Sequence, residues 1–187
     1  DATTRVEAGT LQLGNGGTTG SLSSDTIALD DSATLAINRT SNLELSGDIQ
    51  DINSDGDAAT GGAVTIDADG ATITLSGSSD YAGGTTVNAG ILKAGSSVVT
   101  DESDQLVGAA FGTGLVTVAD GAELDLNSQS IRNNLNLSGR GVDTDDDGTG
   151  DSGALNHTGS DRAVVEGDIT LGAADTVIKS TGDLGLT

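Results

Sequence analysis

The chain has 187 residues and a formal net charge of −22, from 29 Asp and Glu residues against 7 Lys and Arg. This charge excludes nucleic acid as a partner, because phosphate binding requires Lys and Arg, and the lack of Cys excludes disulfides. No apolar run approaches the roughly 20 residues of a membrane span, so we expect no membrane insertion.

Short β-strands are the elements that the sequence predicts along its whole length. Apolar residues alternate with Thr, Asp, Asn and Ser at a period of two, and Gly or Asp-Gly ends each run. This pattern places aliphatic side chains inward and polar side chains outward, and it predicts no helix. In chain order, the clearest predicted strands are 26–29, 63–66, 71–75, 115–118, 123–126, 135–137 and 168–171.

Three short segments recur in the same order later in the chain. Segment 6–11 returns as 87–92, segment 32–38 as 121–127, and segment 42–47 as 134–139. A further Leu-Ser-Gly at 75–77 indicates a finer repeat beneath the larger one. We therefore predict a single domain, 1–187, built of two related units at roughly 1–80 and 81–187.

The composition of the core residues favours a β-solenoid. The chain has one Tyr, one Phe and no Trp, Met or Pro, so small aliphatic side chains must fill a thin, regular interior. At roughly 20 residues per coil, the length corresponds to about eight or nine coils of a parallel β-helix. The alternative is an antiparallel β-sandwich of the fimbrial type, which also uses many short strands.

A known repeat family shares a cluster of features with residues 71–95. These features are Leu75-Ser76-Gly77, the lone Tyr81, the run Gly83-Gly84-Thr85-Thr86-Val87, and Ala89-Gly90 before an apolar pair. The segment resembles the autotransporter-associated β-strand repeat, also called the passenger-associated transport repeat. The resemblance implies a right-handed parallel β-helix that serves as a non-catalytic stalk in a secreted or surface-displayed bacterial protein.

Two Asp-rich loops carry the main chemical signal. Both have the pattern D-x-[DN]-x-D-G, which matches the first half of an EF-hand loop and resembles thrombospondin type 3 loops. Alternate carboxylates can wrap one Ca²⁺ ion, and the Gly permits the sharp turn. The predicted ligands are Asp51, Asn53, Asp55 and Asp57 in the first loop and Asp143, Asp145, Asp147 and Asp151 in the second.

Neither loop has the bidentate Glu of an EF-hand, because Gly62 and Ala154 stand at its position. We therefore expect Ca²⁺ affinity in the weaker, extracellular range. The alternative interpretation is a pair of solvated acidic turns.

Other residues of catalytic type lack the arrangement that catalysis requires. His157 is the only His, and no Ser lies in a nucleophile motif. Arg140 and Arg162 flank the second loop without the Lys or aromatic residues that a polysaccharide lyase would add, so we expect salt bridges and no enzyme activity.

The resulting hypothesis is a secreted structural protein. A calcium-stabilised β-solenoid would form a stalk, an extracellular fibre or a surface-layer element on a bacterial cell, with copies associating end to end through open strand edges. The alternative is an adhesin, in which the solenoid of an autotransporter passenger binds a cell-surface, host or glycan ligand. A polysaccharide lyase is a third, less favoured function.

Overall fold

The computed structural model describes residues 2–52, 61–100, 106–145, 147 and 150–187. Within these residues the chain is all β, without a helix. The strands are β1 Thr3–Val6, β2 Thr10–Gly17, β3 Thr26–Leu29, β4 Thr34–Arg39, β5 Leu43–Leu45, β6 Asp48–Asp51, β7 Ala63–Leu75, β8 Thr85–Ala94, β9 Val99–Thr100, β10 Leu106–Gly108, β11 Val116–Val118, β12 Ala122–Asp125, β13 Leu135–Leu137, β14 Leu155–His157, β15 Ala163–Val165, β16 Ile169–Leu171, β17 Ile178–Ser180 and β18 Leu184–Leu186.

The strands pair in parallel stacks, which confirms the predicted parallel β-helix. The central stack runs through β2, β4, β7, β8, β11, β13 and β16, with neighbours in this order hydrogen-bonded. A lateral stack runs through β5, the second halves of β7 and β8, and then β12, β14 and β17. Shorter ladders join β1, β3 and β6, and β15 and β18. The antiparallel sandwich alternative is wrong, because among the described strand ladders only β9–β10 is antiparallel.

A column of aliphatic side chains forms the interior of the central stack. Equivalent positions on successive strands are in register, so each side chain packs on the one above and the one below. The members of this column are buried in the first six strands: Leu13, Ile37, Ile66, Val87, Val118 and Leu137. The predicted inward-facing aliphatic residues therefore do form the core.

Glycine shapes the corner between the central and lateral stacks. The strands β7 and β8 each turn this corner and contribute to both stacks, with Gly70 and Gly90 at positive φ (68° and 80°). A Cβ on Gly90 would lie 2.0 Å from the carbonyl oxygen of Ala68, so the close approach of the two coils requires glycine there.

The number of residues in a coil of the β-helix differs widely from one coil to another. Val116 pairs with Leu135, 19 residues later, whereas Leu135 pairs with Ile169, 34 residues later. The longer coils carry more residues between one strand of the central stack and the next. For this reason the central stack has seven strands in the described residues, fewer than the eight or nine coils expected from a uniform repeat.

The internal repeats relate to the stacks in two ways. The Leu-Ser-Gly segments at 45–47 and 75–77 lie one coil apart, with Leu45 directly paired with Leu75. The longer-range matches lie in different stacks, since Val6 belongs to the β1–β3 ladder and Val87 to the central stack. The finer repeat therefore corresponds to the coil itself.

Candidate metal site and the polar wall beside it

Three carboxylates of the second Asp loop converge. One carboxylate oxygen from each of Asp143, Asp145 and Asp147 lies within 4.8 Å of the other two. The backbone N–H of Asp145 donates to Oδ1 of Asp143 (3.3 Å), and that of Asp147 donates to Oδ1 of Asp145 (3.4 Å). These local Asx hydrogen bonds turn the chain so that alternate side chains face the same point. The D-x-D-x-D spacing thus gathers its acids as the sequence predicts.

The fourth predicted ligand of this loop, Asp151, faces Thr144. The Thr144 hydroxyl lies 2.8 Å from each carboxylate oxygen of Asp151, and the Thr144 N–H donates to Oδ1 (3.3 Å). Asp151 therefore closes the loop by a hydrogen-bonded contact and stands apart from the three-acid cluster.

The donor set of the cluster suits a hard cation. Carboxylate oxygen is the ligand that Ca²⁺ and Mg²⁺ select, whereas softer metals select nitrogen or sulfur. Asp145 and Asp147 are exposed and Asp143 is half-buried, which leaves room for water to complete a coordination shell. The described geometry is therefore compatible with a metal ion held by three acids.

Asp51, the first residue of the other predicted loop, has a different environment. It ends β6 and is 4% exposed. Its Oδ1 accepts the N–H of Gly62 (3.0 Å), and its Oδ2 accepts the N–H of Ala82 (2.7 Å). Burial raises the pKa of this carboxyl, partly offset by those two hydrogen bonds. Asp51 thus joins segments of two coils. The other predicted ligands, Asn53, Asp55 and Asp57, lie outside the described residues.

The second Asp loop belongs to a strap, which we define as residues 139–153. The N–H of Gly153 donates to the carbonyl of Arg140 (2.7 Å), and the N–H of Val142 donates to the hydroxyl of Ser152 (2.7 Å). These bonds bring the two ends of the strap together. Between the strap and the corner at Gly70 and Gly90 lies a cleft of about 180 Å³, and Asp143 of the three-acid cluster is one of the residues that line it.

Beside the strap lies a set of buried polar side chains on the outer face of the lateral stack, which we call the polar wall. Its members are Glu123 and Asp125 of β12, each 3% exposed, and Asn156 of β14, 8% exposed. Asn156 Nδ2 donates to Oε1 of Glu123 (3.0 Å), and Glu123 also hydrogen-bonds Ser152 of the strap. Burial raises the pKa of the Glu123 carboxyl.

Sequence reasoning missed the polar wall. Alternation at positions 122–125 correctly places Glu123 and Asp125 on the outer side of the strand, where solvent is the ordinary expectation. Instead, Glu123 contacts Ser152 of the strap, 29 positions further along the chain. Asp125 contacts Lys93 and Thr158 on neighbouring coils. A Glu and an Asp two residues apart in a predicted strand, followed by a long Gly-rich insertion, is the only sequence signal that points to it.

His157 has a structural environment in the same region. It is fully buried, its Nδ1 accepts the N–H of Ser128 (3.3 Å), and its Nε2 donates to the carbonyl of Asp161 (2.9 Å). Acceptance at one nitrogen and donation at the other define a neutral ring. His157 therefore ties β14 to the loops beside it.

No protein-family model matches this chain, no curated protein matches it, and no solved structure matches it. Among the residues that the structure describes, no helix is long and apolar enough to cross a bilayer.

Proposed function

We propose that this chain is a structural scaffold, a secreted or surface-displayed parallel β-helix of a bacterial cell. The observation that supports the proposal is the uninterrupted central stack, whose aliphatic column continues through successive coils whatever the length of the intervening turns. Such a stack grows by adding coils, and each coil is stabilised by its neighbours. That property suits an extended stalk or fibre.

Calcium is the proposed stabilising ligand of this scaffold. The converging carboxylates of Asp143, Asp145 and Asp147 supply three oxygen ligands and three negative charges. Bringing them together costs electrostatic energy in a chain of net charge −22, and a divalent cation relieves that repulsion. We propose Ca²⁺ rather than Mg²⁺ because an exposed, irregular loop accommodates its flexible coordination better.

A thermal melt followed by circular dichroism tests the calcium proposal. If the folded chain binds Ca²⁺, the Tm rises with the concentration of free Ca²⁺. Binding stabilises the folded state by roughly 2.7 kcal/mol when that concentration is about 100 times the Kd. EGTA should reverse the rise, and NaCl at matched ionic strength should not reproduce it.

Single-residue variants test whether the calcium-dependent rise in Tm comes from this loop. Asp145→Asn and Asp147→Asn should each reduce the calcium-dependent rise in Tm, whereas Asp175→Asn, at an exposed acid outside the cluster, should leave it intact. An unchanged Tm in Ca²⁺, or an equal loss of the effect in all three variants, would refute a site at this loop.

End-to-end association remains part of the proposal. The central stack presents β2 at one edge and β16 at the other, each with one hydrogen-bonded neighbour in the described structure. An open parallel edge accepts a further strand. Sedimentation velocity over a range of protein concentrations, with Ca²⁺ or EGTA, tests whether a second copy provides that strand; a constant monomer under both conditions would refute it.

A further inference from the structure

A lysine beside the polar wall faces one of its members, Asp125, from the neighbouring coil. Lys93 of β8 and Asp125 of β12 are partners in the parallel ladder, 32 residues apart in the chain. Lys93 Nζ lies 3.3 Å from Oδ2 of Asp125, and the Asp125 side chain is 5% exposed. The pair is thus held at close range, with the Asp125 carboxylate buried and the Lys93 side chain 31% exposed.

Hydrogen-bond donors surround the Asp125 carboxylate on both oxygens. Oδ1 accepts two backbone N–H groups, from Asn127 (3.0 Å) and Thr158 (3.1 Å). Oδ2 accepts the hydroxyl of Thr158 (2.7 Å) in addition to facing Lys93. Two fixed N–H donors on one oxygen are the arrangement that stabilises an oxyanion when a nucleophile attacks the adjacent carbon.

We propose that Lys93 and Asp125 condense into an isopeptide bond that covalently joins successive coils of the β-helix. The amine nitrogen attacks Cγ of Asp125, and a new C–N bond replaces the Cγ–Oδ2 bond. The Lys93 ammonium gives up two protons, both of which end on Oδ2, and Oδ2 departs as water. Ammonium plus carboxylate thus yields amide plus water, so the reaction needs no oxidant or other reactant.

Glu123 is the residue that we assign to proton transfer. It precedes Asp125 by two positions on the same side of β12, which separates their α carbons by roughly 7 Å. The side chains of Asn156 and Ser152 hold its carboxyl in place, and burial raises its pKa. A carboxyl fixed in this way beside Asp125 is the group that we assign to exchange a proton with Oδ2.

The side-chain amide of Asn156, in the polar wall, has a hydrogen-bond partner for only one of its two polar atoms. Its Oδ1 is buried and has no partner, although its Nδ2 bonds Glu123. A buried acceptor without a donor carries an energetic cost.

Mass spectrometry of the full, denatured chain tests the proposal. We expect an intact mass lower than that of the linear chain by one water. Because dehydration at an Asp-Gly site also removes water, the deciding result is a tryptic map: cleavage after Lys93 should be lost, and a branched peptide should join Lys93 to Asp125. The full mass of the linear chain, or normal cleavage after Lys93, would overturn the proposal.

Variants assign the roles of the residues. Lys93→Arg keeps a positive charge beside Asp125 and should abolish the branched peptide, whereas Lys179→Arg, at another lysine of the same stack, should retain it. Asp125→Asn should release ammonia in place of water. Glu123→Gln should slow cross-linking while circular dichroism shows an unchanged fold. A branched peptide at Lys179, or one that persists in Lys93→Arg, contradicts the bond; cross-linking at an unchanged rate in Glu123→Gln contradicts the assignment of Glu123.

Discussion

The aliphatic column of the central stack gives the sharpest test of the coil register. Ile66 is fully buried between Ile37 on one coil and Val87 on the next. Ile66→Ala removes three carbons, about 2.4 kcal/mol at ~0.8 kcal/mol each. The cavity left between two coils adds to this loss, so we expect a total of about 3–4 kcal/mol, inside the range of roughly 2–5 known for such changes.

Urea denaturation and thermal melts measure that loss. For a chain of this size each kcal/mol lowers the Tm by roughly 2–4 °C, so Ile66→Ala should melt about 6–16 °C below the wild type. The matched control is Leu171→Ala, in register with Leu137 at the end of the same column but 55% exposed. It should cost no more than about 0.5 kcal/mol. Equal losses in the two variants would refute the register that buries position 66.

Two further predictions concern the corner of the coil and the buried acids. Gly90→Ala should destabilise the fold by at least about 1 kcal/mol in urea denaturation, since the added Cβ meets the carbonyls of Ala68 and Ala71 at a positive φ; wild-type stability would contradict that close approach. The raised pKa values of Asp51 and Glu123 mean that the folded state binds their protons more tightly than the unfolded chain. Their stabilising contribution is therefore present at low pH and lost as the pH rises through the folded pKa. The free energy of unfolding should increase as the pH falls from 7 towards their ordinary pKa values of 3.8 and 4.5, and Asp51→Asn with Glu123→Gln should flatten the profile; a decrease between pH 7 and 5 would contradict this.

Much of the candidate metal site could be predicted from the sequence, because its determinants are local. Asp143, Asp145 and Asp147 are two residues apart, and Asx hydrogen bonds within the loop gather them without help from the rest of the chain. The same pattern did not predict the environment of Asp51. Its partner N–H groups belong to Gly62 and Ala82, 11 and 31 residues away, and no local rule specifies such contacts.

The sequence by itself determined the fold class. Alternation at a period of two is a property of each strand alone, and a core made almost wholly of Val, Ile, Leu and Ala suits thin, repeated layers. Tertiary structure alone decided which strands became neighbours, because the length of each turn sets the register between coils, and that length ranges from 19 to 34 residues in the central stack. The pairing of Lys93 with Asp125, and the contact of Glu123 with Ser152 of the strap, follow from that register and from the path of one long insertion.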